Sequence, residues 1–298
     1  MKLGLSTRES LIEAKFILEY VLKRTYAQLY SDRSIILLKE EELYIRNIIK
    51  QRLQKKPLGY ILKEWDFYGE TFLINSDVLI PRQDTELLID LIFKEYKKET
   101  QINICDLGTG SGIIGITLAR RFKNSQIILT DTSKEALIIA QENINKFKLK
   151  NAKTLYSNWY SEFPEVEFDL IVSNPPYIDI DDPFLKKDNL QYEPEKALFS
   201  GNHGYADIEI IVNNARDYLK GGGQLMIEHG YNQSNLVKLI FENAKFLSIK
   251  QHLDINSKIR VTDKKSNFLK FARGWINKND VKPILYKKNN FFKKINIF

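Results

Sequence analysis

The chain has 298 residues, 43% hydrophobic and 28% charged, with a net charge of +7; this is the composition of a soluble globular protein with one large or two unequal domains. No run approaches the roughly 18 to 20 apolar residues of a membrane span, and the opening MKLGLSTRES lacks the apolar centre of a secretory leader, so a cytoplasmic location is expected. One cysteine, Cys105, excludes a disulfide framework or a cysteine zinc cluster, and His203, His229 and His252 are too scattered for a metal site.

Residues 1 to about 56 read as helices. Ser6 and Glu9 have the spacing of a capping box, after which Leu11, Ala14, Ile17, Leu18 and Val21 recur at helical intervals. A second helix is expected over 40–54, ended by Lys55-Lys56-Pro57. The aromatic and β-branched stretch GYILKEWDFYGETFLIN (59–75), broken at Gly69, predicts a hairpin that links two domains. Pro81 and Asp84, the latter as N-cap, start an amphipathic helix through Leu87, Leu88, Leu91 and Ile92.

From residue 102 short apolar runs alternate with helical segments: INICDL (102–107), QIILTD (126–131), AKTLYS (152–157), FDLIVSN (168–174), GQLMIEH (223–229), FLSIKQ (246–251) and NFLKFA (267–272). Seven strands with intervening helices predict an α/β fold whose mostly parallel sheet is covered on both faces. The domain plan is therefore a small helical domain over 1–58, a hairpin linker over 59–81, an α/β domain over 82–273, and a basic tail over 274–298. That tail holds six lysines and one acid, which leaves +5 there and only +2 on the rest. It is expected to be a solvated, disordered extension, with contact to ribosomal RNA or an acidic protein as the alternative, and the near-neutral body gives no reason to expect a nucleic-acid surface.

The first predicted strand runs into Asp106-Leu-Gly108-Thr109-Gly110-Ser111-Gly112, followed by a helical segment. In an open α/β sheet, ligands bind beyond the carboxyl ends of the strands, and glycines there let the backbone approach a ligand closely. Gly110, Gly112 and Gly115 also satisfy the dinucleotide fingerprint, and Asp131 at the end of the second strand suits a ribose in either a nicotinamide cofactor or S-adenosylmethionine. A glycine turn with no ligand is the third reading.

The segment Asn174-Pro175-Pro176-Tyr177 follows the fourth strand, which lies beside the first across the switch point of such a sheet. Prolines fix the backbone and so aim its carbonyls. The nitrogen lone pair of an amide or nucleobase amine is delocalised, so methylation requires it to be turned toward the methyl donor. The Asn174 side-chain oxygen and the Pro175 carbonyl can each accept one N–H, and Tyr177 can stack on the planar group. Hydride transfer has no use for this arrangement, which favours S-adenosylmethionine. Glu228, ending the fifth strand, either lines the pocket or caps the strand. Cys105 is read as buried packing.

With these residues in view the chain resembles the release-factor glutamine methyltransferases of the HemK/PrmC family. The resemblance rests on six segments in order: PLGYILKEWDFYG (57–69), LIPRQDTELL (79–88), DLGTGSG (106–112), SNPPYI (173–178), YEPEKALFSGNHGYADI (192–208) and IEHG (227–230). It implies a class I methyltransferase fold, Rossmann-like with seven strands, and a helical N-terminal domain that helps grip the substrate. The implied reaction is methylation, by S-adenosyl-L-methionine, of the side-chain amide nitrogen of the glutamine in the Gly-Gly-Gln motif of peptide-chain release factors, leaving S-adenosyl-L-homocysteine.

Carried onto matching positions, Gly108, Thr109, Gly110, Ser111, Gly112 and Asp131 bind the cofactor, Trp159 packs on its adenine, and Asn174 lies close to both ligands. Asn174, Pro175 and Tyr177 are the catalytic set, and with Pro176 they hold the glutamine. Tyr192, Glu193, Pro194 and Arg82 shape the substrate side. The expected partner is a protein, with no membrane, no metal and no direct nucleic-acid contact, and the expected state is a monomer. Three positions depart from the family pattern: Gln83 stands for a usual proline, Asn158 for a usual aspartate, and Ser257 for a usual glycine in a turn expected to differ. The rival readings are an adenine-amino methyltransferase acting on DNA or RNA, which also needs a base-extruding groove, and a non-catalytic factor that binds release factors or ribosomes.

Overall fold

The computed structural model describes residues 4–32, 34–163, 166–181 and 189–265. The strand expected at 267–272 and the tail lie outside these residues. Four helices open the chain: α1 (Thr7–Leu22), α2 (Tyr26–Ser31), α3 (Lys39–Leu53) and α4 (Leu58–Leu62). The Ser6–Glu9 box closes at both ends, with Glu9 N–H on Ser6 Oγ at 3.2 Å and Ser6 N–H on Glu9 Oε2 at 2.7 Å. Ile17, Ile48, Leu58, Ile61 and Leu62 form a small core here, and Arg52 pairs with Glu13 at 2.9 Å across it. Helix α2 carries no long apolar period, which is why sequence reasoning passed over it.

The hairpin begins later than expected. Residues 58–62 are helical behind Pro57, and the strands are β1 (Glu64–Phe67) and β2 (Glu70–Leu73), turning at Gly69. The aromatic and β-branched composition of 59–62 suggested a strand, but Tyr60, Ile61 and Leu62 are buried as one helical turn, and the Tyr60 hydroxyl donates to the Val78 carbonyl at 2.7 Å. Asn143 fixes this linker to the body: its side chain accepts from Leu73 N–H at 2.8 Å and donates to the Leu73 and Ser111 carbonyls at 2.9 Å each. Asp84 does not cap a helix. It sits inside a 3-10 turn ahead of α5 (Glu86–Glu95) and pairs with Arg260 at 2.9 Å, an ion pair that draws its carboxylate away from the helix amides.

The remaining elements are β3 (Asn103–Leu107), α6 (Ile113–Arg121), β4 (Gln126–Asp131), α7 (Lys134–Lys146), β5 (Ala152–Tyr156), β6 (Phe168–Ser173), the short turns α8 (Glu195–Leu198) and α9 (Gly201–Gly204), α10 (Ala206–Tyr218), β7 (Leu219–Glu228), α11 (Ser234–Asn243), β8 (Lys250–Leu253) and β9 (Ile259–Lys265). They form one seven-stranded sheet in the order β5-β4-β3-β6-β7-β9-β8, parallel from β5 through β7, with β9 antiparallel to both its neighbours. The sheet is covered on both faces because side chains alternate along each strand. Ile104, Ile127, Leu129, Leu170 and Val172 pack against α5, α6 and α7, while Cys105, Ile128, Ile171, Leu225 and Ile227 pack against α10 and α11.

The last two strands correct the expectation. Phe246 closes the core against Phe241, the edge strand starts only at Lys250, and β9 was not foreseen. Its Thr262, Asp263 and Lys264 are polar yet buried, Thr262 and Asp263 being satisfied by Gln224, His229, Gln251 and His252, so no apolar run marks the strand. Ser257 keeps a left-handed turn between β8 and β9 at φ +59°, a conformation that costs a residue other than glycine about 1 kcal/mol. Among the described residues no helix is long and apolar enough to cross a membrane.

Candidate active site

Strands β3 and β6 are neighbours, with Leu107 opposite Ser173, so the glycine loop and the Asn174 segment leave the sheet side by side. Between the loops at this carboxyl edge lies a cavity of about 620 Å³. Gly108, Thr109, Gly110, Ser111, Asp131 and Trp159 line one part of it, and Arg82, Thr85, Asn174, Pro176 and Pro194 another. Gly112 stands behind the loop at the start of α6. At φ +86° its Cβ would be 2.7 Å from Ile116 Cδ1 and 3.2 Å from Leu129 Cδ2, so only glycine lets the helix seat against β4.

The loop is held from beneath by Asp106, which is fully buried. Its Oδ2 accepts from Thr109 Oγ1 at 2.5 Å and from Gly115 N–H at 2.8 Å, while Oδ1 has no partner. Burial pushes its pKa up to about 6, against the pull of those two donors. Asp131 ends β4 and accepts from Gly110 N–H and Ser133 N–H, each at 2.9 Å. Burial raises its pKa while the backbone donors hold it down. Each of its oxygens makes one such bond, which leaves lone pairs for a further donor.

Trp159 follows β5 in a left-handed conformation, φ +51°, with its ring 3.4 Å from where a Cβ on Gly108 would stand. Asp207, at the start of α10, fixes that ring by accepting from the indole N–H at 3.1 Å, and is itself held by the Ser200 hydroxyl at 2.6 Å. Sequence reasoning missed Asp207, although it lies in the matched segment 192–208. Asn158 lines the cavity beside Trp159.

The Asn174 segment divides. Asn174 and Pro176 reach the cavity, Pro175 is buried, and Tyr177 turns its hydroxyl back onto Glu228 Oε1 at 3.3 Å. Asn174 Nδ2 donates to Thr85 Oγ1 at 3.1 Å. Behind the segment, Gln233 donates to the Tyr177 carbonyl at 2.9 Å, and Gly204 lies so near that carbonyl that a Cβ there would be 2.3 Å from its oxygen. Glu228 therefore neither lines the cavity nor merely caps β7; it stands 1% exposed behind Tyr177. Burial pushes its pKa up to about 7, opposed by the Thr85 and Tyr177 hydroxyls and by Arg260.

Arg82 and Glu193, 111 residues apart, meet at 2.5 Å, and Glu193 also accepts from Ile80 N–H at 3.2 Å. The Tyr192 hydroxyl donates to the Gln54 carbonyl at 2.5 Å, tying this segment to the N-terminal helices. Cys105 is wholly buried, and burial holds its thiol protonated.

Two family profiles match the chain: PrmC N-terminal domain over residues 5–62 and Methyltransferase small domain over 83–185. A protein named release factor glutamine methyltransferase from Buchnera aphidicola subsp. Acyrthosiphon pisum (strain APS) is 38% identical over 84% of this chain and 90% of its own length. One of the same name from Coxiella burnetii is 34% identical over 82% and 87%. Among solved structures, a methyltransferase from Pyrococcus furiosus shares the fold at a TM-score of 0.51 and 18% identity, covering 74% of this chain and 99% of that one. On sequence, fold and the ordered elements of this cavity, the chain belongs to the release factor glutamine methyltransferase family.

Proposed function

We propose that the protein methylates the side-chain amide nitrogen of the glutamine in the Gly-Gly-Gln motif of peptide-chain release factors, acting as a cytoplasmic monomer without nucleic acid or membrane. The observation that carries this reading is the placement of Asn174: it opens on the cavity beside the glycine loop, with one amide N–H donated to Thr85 Oγ1 and Oδ1 available as an acceptor. The cavity suits S-adenosylmethionine by the chemistry of its walls. Asp131 supplies acceptor lone pairs for vicinal ribose hydroxyls, the loop from Gly108 to Gly112 lets the backbone close on the ligand, and the Trp159 face near Gly108 suits an adenine. When bound, S-adenosylmethionine supplies an electrophilic methyl carbon.

The chain's own residues do the rest. Asn174 Oδ1 and the Pro175 carbonyl take one N–H each of the substrate amide and turn its nitrogen lone pair out of conjugation. As that nitrogen gains positive charge, the two oxygens meet it with dipoles already in place; losing one such group costs about 100-fold or more in turnover. Tyr177, expected to stack on the amide, packs instead against the core with its hydroxyl on Glu228, and so braces the Asn174 segment that orients the amide. No general base is needed before attack, because the proton becomes acidic once the nitrogen is alkylated.

We assign recognition of the release factor to the helical domain over 1–58, the linker over 59–81 to positioning it, and chemistry to the domain over 82–273. Leu11, Leu43, Ile49 and Leu53 are all more than 40% exposed on those helices, an apolar surface suited to a protein partner. The test is transfer of label from methyl-tritiated S-adenosylmethionine to purified unmethylated release factor, with a DNA duplex in parallel. Label in the protein alone is expected; label in the DNA alone would overturn the substrate assignment.

A further inference from the structure

Residues 192–200 join parts of the molecule that lie far apart in sequence. Tyr192 donates its hydroxyl to the carbonyl of Gln54, the residue that ends α3, at 2.5 Å. Glu193 accepts from Ile80 N–H of the linker at 3.2 Å and from Arg82 Nη2 just beyond it at 2.5 Å. Pro194, Ala197 and Phe199 then line the cavity. Phe199 bridges to Ile178, with Ile178 N–H on the Leu198 carbonyl and Ser200 N–H on the Ile178 carbonyl, each at 3.0 Å. Ile178 directly follows Tyr177, so one short strap runs from the helical domain, over the linker, to the segment that holds the substrate amide.

The strap's anchors fix placement more than they add stability. The Glu193 side chain is 4% exposed, and an ion pair with a buried member is a poor source of stability, its best-attested use being to set register. Tyr192 stands outside the cavity wall. Its ring packs on the linker cluster of Tyr60, Ile74, Val78 and Ile80, and its hydroxyl reaches one of the carbonyls that a helix end leaves without an intrahelical partner. Its effect on the reaction therefore passes through the placement of α3. The exposed apolar residues Leu43, Ile49 and Leu53 lie on that helix, Leu53 next to Gln54.

We propose that Tyr192 is a positioning residue that holds the helical domain at a set distance from Asn174, and so makes the protein selective for a folded partner that presents its glutamine at that distance over a free peptide with the same motif. This deepens, and rests on, the assignment of the release factor as substrate and of the helical domain as its docking surface. A docked release factor delivers its glutamine to Asn174 at a high effective concentration, and a firm connection between the two surfaces keeps that concentration high. Tyr192 neither touches substrate nor exchanges a proton with it.

The test compares wild type with Tyr192→Phe, which keeps the ring and removes the hydroxyl. Both are checked by thermal melting and by calorimetry with S-adenosylmethionine, then assayed on an unmethylated release factor and on a short peptide containing Gly-Gly-Gln. On the release factor, kcat is expected to fall about 5-fold, the worth of one hydrogen bond, with KM and cofactor affinity within about 2-fold. On the peptide, which has nothing to dock, the two proteins are expected to be equal. Unchanged kcat on the release factor, or an equal loss on both substrates, would overturn the proposal. The register is also read without turnover, from spin labels at Asn47→Cys on α3 and Asn235→Cys on α11, both exposed positions, while the buried Cys105 takes no label. A narrow distance with Tyr192 in place and a broader distribution in Tyr192→Phe is the expected result; identical distributions would overturn the proposal. A wild type that transfers no methyl to the release factor would instead overturn the reading on which it rests.

Discussion

Glu228→Gln is predicted to raise stability above neutral pH while lowering turnover. The folded protein holds this carboxyl at a pKa raised from 4.5 to about 7, chiefly because burial penalises the charge. Between those values the folded state binds more protons than the unfolded chain, so stability falls as pH rises through the window. At about 1.4 kcal/mol per pH unit the loss approaches roughly 3 kcal/mol above pH 7. The groups facing the carboxyl are Thr85 and Tyr177, which donate to it, Arg260, which favours its charge, and Asp84, which opposes it. Glutamine cannot ionise, so the variant lacks this pH dependence.

The assay is urea or thermal unfolding of both proteins from pH 4.5 to 8. Taking the difference between them cancels other titrating groups, including Asp106, raised to about 6 by burial, and His229, lowered to about 4 by burial. The two proteins should be of similar stability near pH 4.5, with the variant ahead by several degrees in Tm at pH 8, yet with reduced kcat. A difference that does not change with pH, or one in which wild type gains as pH rises, would refute the reasoning.

Three further outcomes follow from local geometry. Gly204→Ala places a Cβ 2.3 Å from the Tyr177 carbonyl oxygen at φ +87°; the left-handed strain alone costs about 1 kcal/mol, and displacement of the Tyr177 backbone should depress both Tm and kcat, read by melting and steady-state kinetics. Asp207→Ala frees the Trp159 indole from its 3.1 Å bond, so the Kd for S-adenosylmethionine measured by calorimetry should rise several-fold, about 1 kcal/mol for one lost hydrogen bond, with kcat at saturation little changed. Ser257→Gly relieves φ +59° and should raise the urea midpoint by an amount equivalent to roughly 0.5 to 1 kcal/mol.

What the sequence revealed and what it hid divide along physical lines. Features encoded by neighbours in the chain were legible: the Ser6–Glu9 box, the short apolar runs of β3, β4 and β6 that are buried on both faces, and the glycine loop with Asp131 and Asn174 beyond it. Where tertiary burial overrode composition, the reading failed. Residues 59–62 look like strand but form a buried helical turn, and β9 is polar because its side chains are satisfied by neighbours rather than by apolar packing. The groups behind the site were hidden by distance in sequence: Thr85 meets Asn174 across 89 residues, and Asp207 meets Trp159 across 48. A threonine after Arg82-Gln-Asp or an aspartate starting a helix carries no local mark of such a role, and only the fold brings them to the cavity.

The central claim is that this cavity methylates one amide nitrogen in a release factor through Asn174. The most direct measurement is tandem mass spectrometry of an unmethylated release factor after incubation with S-adenosylmethionine and either wild type or Asn174→Ala. One methyl on the Gly-Gly-Gln glutamine side chain with wild type, lost with a folded, cofactor-binding Asn174→Ala, is the predicted result. A methyl on any other residue, or equal methylation by the two proteins, would contradict it.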